Sequence, residues 1–172
     1  MKKPLFRLIA VITLDGKIAR NSSHLSDWSS KEDKKFFHRE LDTADVVLVG
    51  NNTYKTAKKF LLKRNLIVFT RHVTAPRWKS EKCVFMNLAR TNIQNYCQAH
   101  GYRNVAVLGG TQIFDYFLGK NLAHELLLTL EPIVFGKGIS LFEKGKKNTH
   151  FRLVSLKKLN KGGTLLLRYG KR

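Results

Sequence analysis

The run Val105-Ala106-Val107-Leu108-Gly109-Gly110-Thr111-Gln112-Ile113-Phe114 decides the fold. Four apolar residues in a row fit a strand buried on both faces, as in a parallel sheet. Two glycines follow, and the segment from Thr111 to Leu118 then reads as a helix. A Gly-Gly pair lets the backbone come close to a ligand, and a helix N-terminus favours an anion. Alone, such a pair serves equally well as a flexible strand-to-helix turn. The order recurs upstream, where apolar Val46 to Val49 ends at Gly50 and Asn52-Thr53 reads as the cap of a short helix. In an open parallel sheet, ligands sit beyond the carboxyl ends of the strands. Two such ends point to a phosphate-rich ligand.

Working outward, Leu5 to Thr13 is a buried strand closed by Asp15-Gly16, and a polar segment runs from Arg20 to Ser26. Ser29-Ser30-Lys31-Glu32-Asp33 has the hydroxyl cap and first-turn carboxylates of a helix start, and that helix should reach about Leu41. Leu66 to Phe69 and Cys83 to Met86 are strands, and a helix from Thr91 to Ala99 ends at Gly101. Glu125 to Leu130, Phe151 to Leu159 and Thr164 to Tyr169 are further strands. The last two are joined by the turn Asn160-Lys161-Gly162-Gly163 as a closing hairpin. The pattern predicts one α/β domain over residues 1–172, with a mainly parallel central sheet and an antiparallel C-terminal hairpin.

The charge is unusual: 32 Lys and Arg against 12 Asp and Glu, a net +20. Phosphate neutralisation could use such a surface, but the basic residues spread along the chain. The dense stretches Lys55 to Arg64 and Lys144 to Lys147 hold few aromatics for base stacking. A solvated lysine-rich surface, or steering of a small anionic substrate, fits better than a nucleic-acid partner. Cys83 and Cys97 have no metal-like spacing and form no disulfide framework. The first apolar run is broken by Arg7 and lacks a cleavage site, and no stretch is long enough to span a bilayer. A cytoplasmic protein is expected, as monomer or homodimer. The six histidines are scattered, and there is no phosphate-loop motif and no nucleophile elbow.

Asp33 is the residue of interest. It shares a helix face with Phe37 and Leu41 at i+4 and i+8, so its carboxylate should be partly desolvated and useful for proton handling. It could equally be the fourth member of a capping box with Ser30. Trp28 reads as a core aromatic or as a lid over a planar ligand.

Taken in order, these residues resemble the dihydrofolate reductase superfamily over nearly the whole chain. Leu8-Ile9-Ala10-Val11 with Leu14-Asp15-Gly16-Lys17-Ile18 looks like its first strand and the start of its active-site loop. Trp28 and Asp33 match the tryptophan near the pterin and the active-site carboxylate, and Phe37 the aromatic that packs on the substrate. Gly50-Asn51-Asn52-Thr53-Tyr54 resembles the cofactor motif, with Asn51 where the family has arginine. Gly109-Gly110 with Gln112 and Phe114 resembles the glycine pair beside the nicotinamide, and Thr129 the threonine that bonds the carboxylate.

The resemblance implies the family's three-layer fold, helices on both faces of the sheet, and NADPH as cofactor. Ala10, Ile18, Gly50, Asn51, Asn52, Thr53, Gly109, Gly110, Thr111, Gln112, Ile113 and Phe114 would hold the cofactor, with Thr70, Arg71 and His72 at its 2′-phosphate. Ile9, Val11, Phe37 and Leu108 would line the substrate site, and Arg64 would hold a glutamate carboxylate. Asp33, Trp28 and Thr129 would serve catalysis. Reduction of dihydrofolate is the first expectation.

Leu14 to Ala19, Asp45 to Gly50 and Pro132 to Gly138 also resemble the riboflavin-pathway reductases of a ribosylamino-pyrimidine phosphate. Those usually carry a D-x-P stretch after the G-x-x-T motif, and this chain does not. A basic nucleic-acid-binding protein on the same fold is the third possibility.

Overall fold

The computed structural model describes residues 3–24, 26–144 and 148–172. Met1, Lys2, Leu25 of the loop from Arg20 to Asp27, and Gly145 to Lys147 of the second basic stretch lie outside the described residues.

The chain runs β1 (Leu5–Thr13), β2 (Lys17–Ala19), α1 (Lys31–Asp42), β3 (Val46–Gly50), α2 (Asn51–Leu61), β4 (Leu66–Phe69), β5 (Arg77–Ser80) and β6 (Cys83–Met86). It continues with α3 (Ile93–Ala99), β7 (Asn104–Val107), α4 (Thr111–Gly119), β8 (Glu125–Glu131), β9 (Ile139–Ser140), β10 (Phe151–Lys158) and β11 (Leu165–Lys171). Nine strands form one sheet in the order β10-β11-β8-β1-β7-β3-β4-β6-β5. Neighbours from β8 across to β6 pair in parallel, and β11, β10 and β5 join antiparallel. The predicted C-terminal hairpin is present. The opposite antiparallel edge, β5, was not expected. All four of its residues are exposed, so no apolar alternation announces it.

Period 2 of the strands divides the core in two. Phe6, Leu8, Val46, Leu48, Ile67, Val105 and Val107 pack on one face with Phe114 and Phe117 of α4 and Ile93 of α3. Ile9, Val47, Val49, Leu66, Val68 and Ala106 pack on the other with Phe36 and Leu41 of α1 and Tyr54 and Leu61 of α2. Both faces of the central strands are covered, which is why those strands read as unbroken apolar runs. Each fully buried leucine of this kind is worth about 2–5 kcal/mol against alanine.

The helix after β3 differs from its expected form. It starts at Asn51 with extended Gly50 as N-cap and no side-chain cap, and it runs for 11 residues. Gly50 N–H is held by the Gly109 carbonyl at 2.8 Å, so the chain turns helical at once and Asn52-Thr53 does not cap it. A second sheet of two short strands, β2 and β9, lies beside the first, with Lys17 Nζ on Ser140 Oγ at 2.9 Å. Among the described residues no helix is long and apolar enough to cross a membrane.

Candidate functional site

The helix after β3 packs on one face of the sheet and the helix after β7 on the other. Neighbouring strands that send their chains to opposite faces leave a crevice at their carboxyl ends. Here that crevice opens into a cleft of about 1670 Å³, whose walls include Gly50, Thr70, Leu108 and Gly110.

The glycine turn is built for close approach. Gly109 has φ +80°, and a Cβ there would fall 2.4 Å from the Phe114 ring, so only glycine fits. The Gly109–Gly110 peptide is cis. Above Gly110 nothing stands nearer than Ile18 Cδ1 at 3.8 Å from a built Cβ, so its outer face is open. The helix starts also differ from one another. Ser30 caps α1 and Asn92 caps α3 through their side chains, whereas α2 and α4 begin at Gly50 and Gly110 with no side-chain cap. Both uncapped ends border the cleft, leaving amide donors and two positive dipole ends for an anionic ligand. The Thr111 hydroxyl donates to the Ser140 carbonyl and ties this turn to β9.

The opposite wall carries the carboxylate. Asp33 is 7% exposed on the first turn of α1 and borders the cleft with Phe37. Phe36 rather than Phe37 is the buried aromatic of α1. Burial raises the Asp33 carboxyl above the usual carboxylate range. The Ser29 and Thr129 hydroxyls beside it pull it back by favouring the charged form, and Glu131 and Lys34 add a smaller rise and fall. The Ser30 cap is real, because Asp33 N–H donates to Ser30 Oγ at 3.2 Å. The reciprocal half of a capping box is filled from elsewhere: Ser30 N–H donates to Glu131 Oε1 at 2.7 Å.

Most residues implied by the resemblance line this one cleft. Ile9, Val11, Phe37 and Leu108 line it together with Asp33, as do Ala10 and Ile18, the latter beside Gly110. Asn51, Asn52 and Thr53 lie at the α2 start, Thr70, Arg71 and His72 beyond β4, and Thr111, Gln112, Ile113 and Phe114 at the α4 start. Arg71 donates to Gln112 at 3.0 Å across that end. Gly109 and Thr129 are buried behind the surface, and Trp28 is half-buried and outside the lining. The Trp28 ring meets Phe135 edge-on at 4.9 Å.

Arg64 is a correction. Its guanidinium is ion-paired with Asp42 and donates to the Phe60 carbonyl, and it lines a separate depression of about 400 Å³ with Asp45, Lys63 and Lys82. Because α2 runs on to Leu61, Arg64 falls just before Leu66, at the amino end of β4 and away from the strand ends that form the cleft. The cleft includes Lys34, Thr56, Phe60, Arg90 and Lys120, which sequence reasoning missed. Lys34 sits one residue from Asp33, and a helical wheel places it about 100° away, so only the width of the cleft brings it in.

The sequence matches the family model described as dihydrofolate reductase over residues 5–159. The chain belongs to the dihydrofolate reductase family. Among curated relatives, "Uncharacterized protein YwjB" of Bacillus subtilis (strain 168) is 27% identical over 87% of this chain and 89% of its own length. "Uncharacterized protein YyaP" of the same strain is 21% identical over 94% and 93%. Solved structures share the fold of this dihydrofolate reductase family member. A putative riboflavin biosynthesis protein from Shewanella sp. PV-4 aligns with TM-score 0.77 at 19% identity, covering 98% of this chain and 99% of that one. RibD of Acinetobacter baumannii aligns with TM-score 0.81 at 14% identity, covering 99% of this chain and 58% of RibD. A pyrimidine reductase-like protein from Corynebacterium diphtheriae aligns with TM-score 0.73 at 16% identity, covering 98% and 92%.

Proposed function

We propose that this chain is an NADPH-dependent reductase of a ribosylamino-pyrimidine phosphate rather than of dihydrofolate. The observation that carries this choice is the placement of the two cations near α1. Arg64, whose planar fork would suit a glutamate carboxylate, is held by Asp42 outside the cleft. Lys34 stands in the cleft beside Asp33, and a compact ammonium suits a phosphate as a point charge. The fold shared with riboflavin-pathway reductases agrees with this reading. It corrects the first expectation, in which Arg64 received a folate tail.

The residues at the sheet ends fit a nicotinamide dinucleotide. The open face of Gly110 and the bare starts of α2 and α4 suit its pyrophosphate, and Arg71, His72 and Arg90 suit a further phosphate. When bound, NADPH supplies a hydride for an electron-poor carbon–nitrogen double bond. The chain's own part is orientation and proton handling. Phe37, Ile9 and Val11 form an apolar wall against a planar ring, and Asp33 faces the amino edge of a pyrimidine. With its proton affinity raised, the Asp33 carboxyl can hold a proton near the nitrogen that gains one.

Dihydrofolate is the second reading, favoured by the buried Asp33 paired with Phe37, because a pterin presents the same amino edge. NADPH consumption measured with each substrate decides between them. The proposal expects turnover with the phosphorylated pyrimidine and little with dihydrofolate; the opposite ranking would overturn it.

A further inference from the structure

A capping box needs two reciprocal bonds: the N-cap side chain takes the N3 amide, and the N3 carboxylate takes the N-cap amide. At the start of α1 only the first is made by the expected pair, Ser30 and Asp33. The second is made by Glu131 at the end of β8, which is 5% exposed and 101 positions away along the chain. Its other oxygen accepts from Thr164 Oγ1 at 2.6 Å, at the entrance to β11. Asn160 continues the network, donating to Thr164 Oγ1 at 2.9 Å and to Glu32 Oε2 at 3.2 Å. The hairpin turn, the end of β8 and the first turn of α1 are thereby joined by one polar chain, with the Glu131–Thr164 bond fully buried.

We propose that Glu131 is a positioning residue: it takes over the capping duty of Asp33 and stands as a second buried carboxylate behind it, so that the Asp33 side chain stays free for the cleft. This rests on the reading of the cleft as a reductase site. The alternative placement is clear. Without Glu131, the Ser30 amide loses its acceptor, and the Asp33 carboxylate is the group on the same helical turn that can reach back to it. Such a bond favours the charged form and draws the carboxylate from the cleft.

The groups around Asp33 are few. Lys34 is the charged neighbour on its own helix, while Glu32 is turned to Asn160. Glu131 and the Thr129 hydroxyl face it from β8, and Ser29 from the preceding loop. That loop also brings His24 and Asp27, paired at 3.8 Å, to the cleft. From β1, apolar Ile9 and Val11 border the same part of the cleft. Glu131 is the one buried acid in this set besides Asp33 itself.

The test reads Asp33 directly. Its carboxyl titration is followed by infrared difference spectroscopy against Asp33→Asn, in the wild type, in Glu131→Gln and in Glu131→Leu. Glu131→Gln keeps an acceptor for Ser30 N–H and takes away the second carboxylate, so the Asp33 midpoint should fall. Glu131→Leu removes both, so the midpoint should fall further, and substrate KM should rise by roughly tenfold or more with a smaller change in kcat. An Asp33 midpoint unmoved in Glu131→Gln would overturn the proposal, and this variant carries the test if Glu131→Leu does not fold. The titration needs no substrate, so it stands even if the substrate class is wrong. A shifted titration without turnover of either substrate would count against the functional reading instead.

Discussion

Asp33 holds its place at a cost, because burying a carboxylate disfavours its charged form. Its folded-state proton affinity is raised, by burial first, above that of the unfolded chain. The folded state therefore binds more protons than the unfolded state between the two pKa values. The favourable contribution is complete below the ordinary carboxylate range and is lost as pH rises through the raised value. Once ionised, above that raised value, Asp33 destabilises the fold, and a neutral side chain of the same shape should relieve it. Asp33→Asn is expected to raise Tm by a few degrees at about pH 7 to 8 while turnover falls by about two orders of magnitude or more. The Tm gain should shrink as pH falls through the raised value, where the wild-type carboxyl takes up its own proton. Calorimetry across that range, with turnover measured beside it, checks both arms. A variant less stable at pH 8 than the wild type would sink the argument. Opposite signs for stability and activity are a signature that a merely structural acid would not give.

Among the elements, the central strands were legible because burial on both faces leaves an unbroken apolar run. Leu66–Phe69 and Cys83–Met86 match their sequence reading residue for residue. Strands of two to four residues held by a neighbour rather than by their own pattern were not legible. β2 and β9 are fixed by pairing with each other, and β5 is a fully exposed edge. The glycine-lined wall of the cleft was readable from its glycines, whereas Lys34 and Phe60 enter through the width of the cleft and the Glu131 network through bonds between segments far apart in the chain, which no local pattern encodes. His124 is a second such contact. Its Nδ1 accepts the Phe6 amide at 3.0 Å, its ring stacks on Phe6 at 5.8 Å, and its carbonyl takes Lys171 N–H. It therefore clasps the start of β1 to the end of β11. Burial, helped by Lys171 and opposed by Glu125, lowers its proton affinity in the folded state. The unfolded chain then binds the proton more readily. The stability of this clasp is complete above the ordinary histidine value and is lost as pH falls from about 6.5 through the lower folded value. Tm should drop between about pH 7 and pH 5, and His124→Gln, which keeps an acceptor without titrating, should drop less. Parallel Tm curves for the two proteins would contradict this.

Over the whole molecule the charge is not spread as it first reads along the chain. Between Asp45 and Asp115 there are eleven Lys and Arg and a single acid, Glu81. That stretch builds β3, α2, β4, β5, β6, α3 and β7, the half of the sheet running from β7 to the β5 edge. The acids of the cleft, Asp27, Asp33 and Glu143, all come from outside it. The wall around the bare α2 start is therefore positive without acids of its own, while the α4 start has Asp115 and Glu143 beside it and the Asp33 wall is mixed. A field of this shape draws an anionic ligand towards one end of the cleft and raises its association rate rather than the rate of chemistry. Salt should weaken it, because exposed charges more than about 10 Å apart are screened at ordinary ionic strength. The expected outcome is that kcat/KM for NADPH falls on the order of tenfold from low salt to about half molar, with kcat little changed. Lys55 and Lys59, exposed on α2 and absent from the cleft wall, separate this field effect from contact. Replacing both with glutamate should reduce the low-salt kcat/KM several-fold and flatten its salt dependence. Stopped-flow association rates check this: a slope against salt unchanged in the double variant would place the effect in the contacts of the cleft and not in the field of the acid-free half.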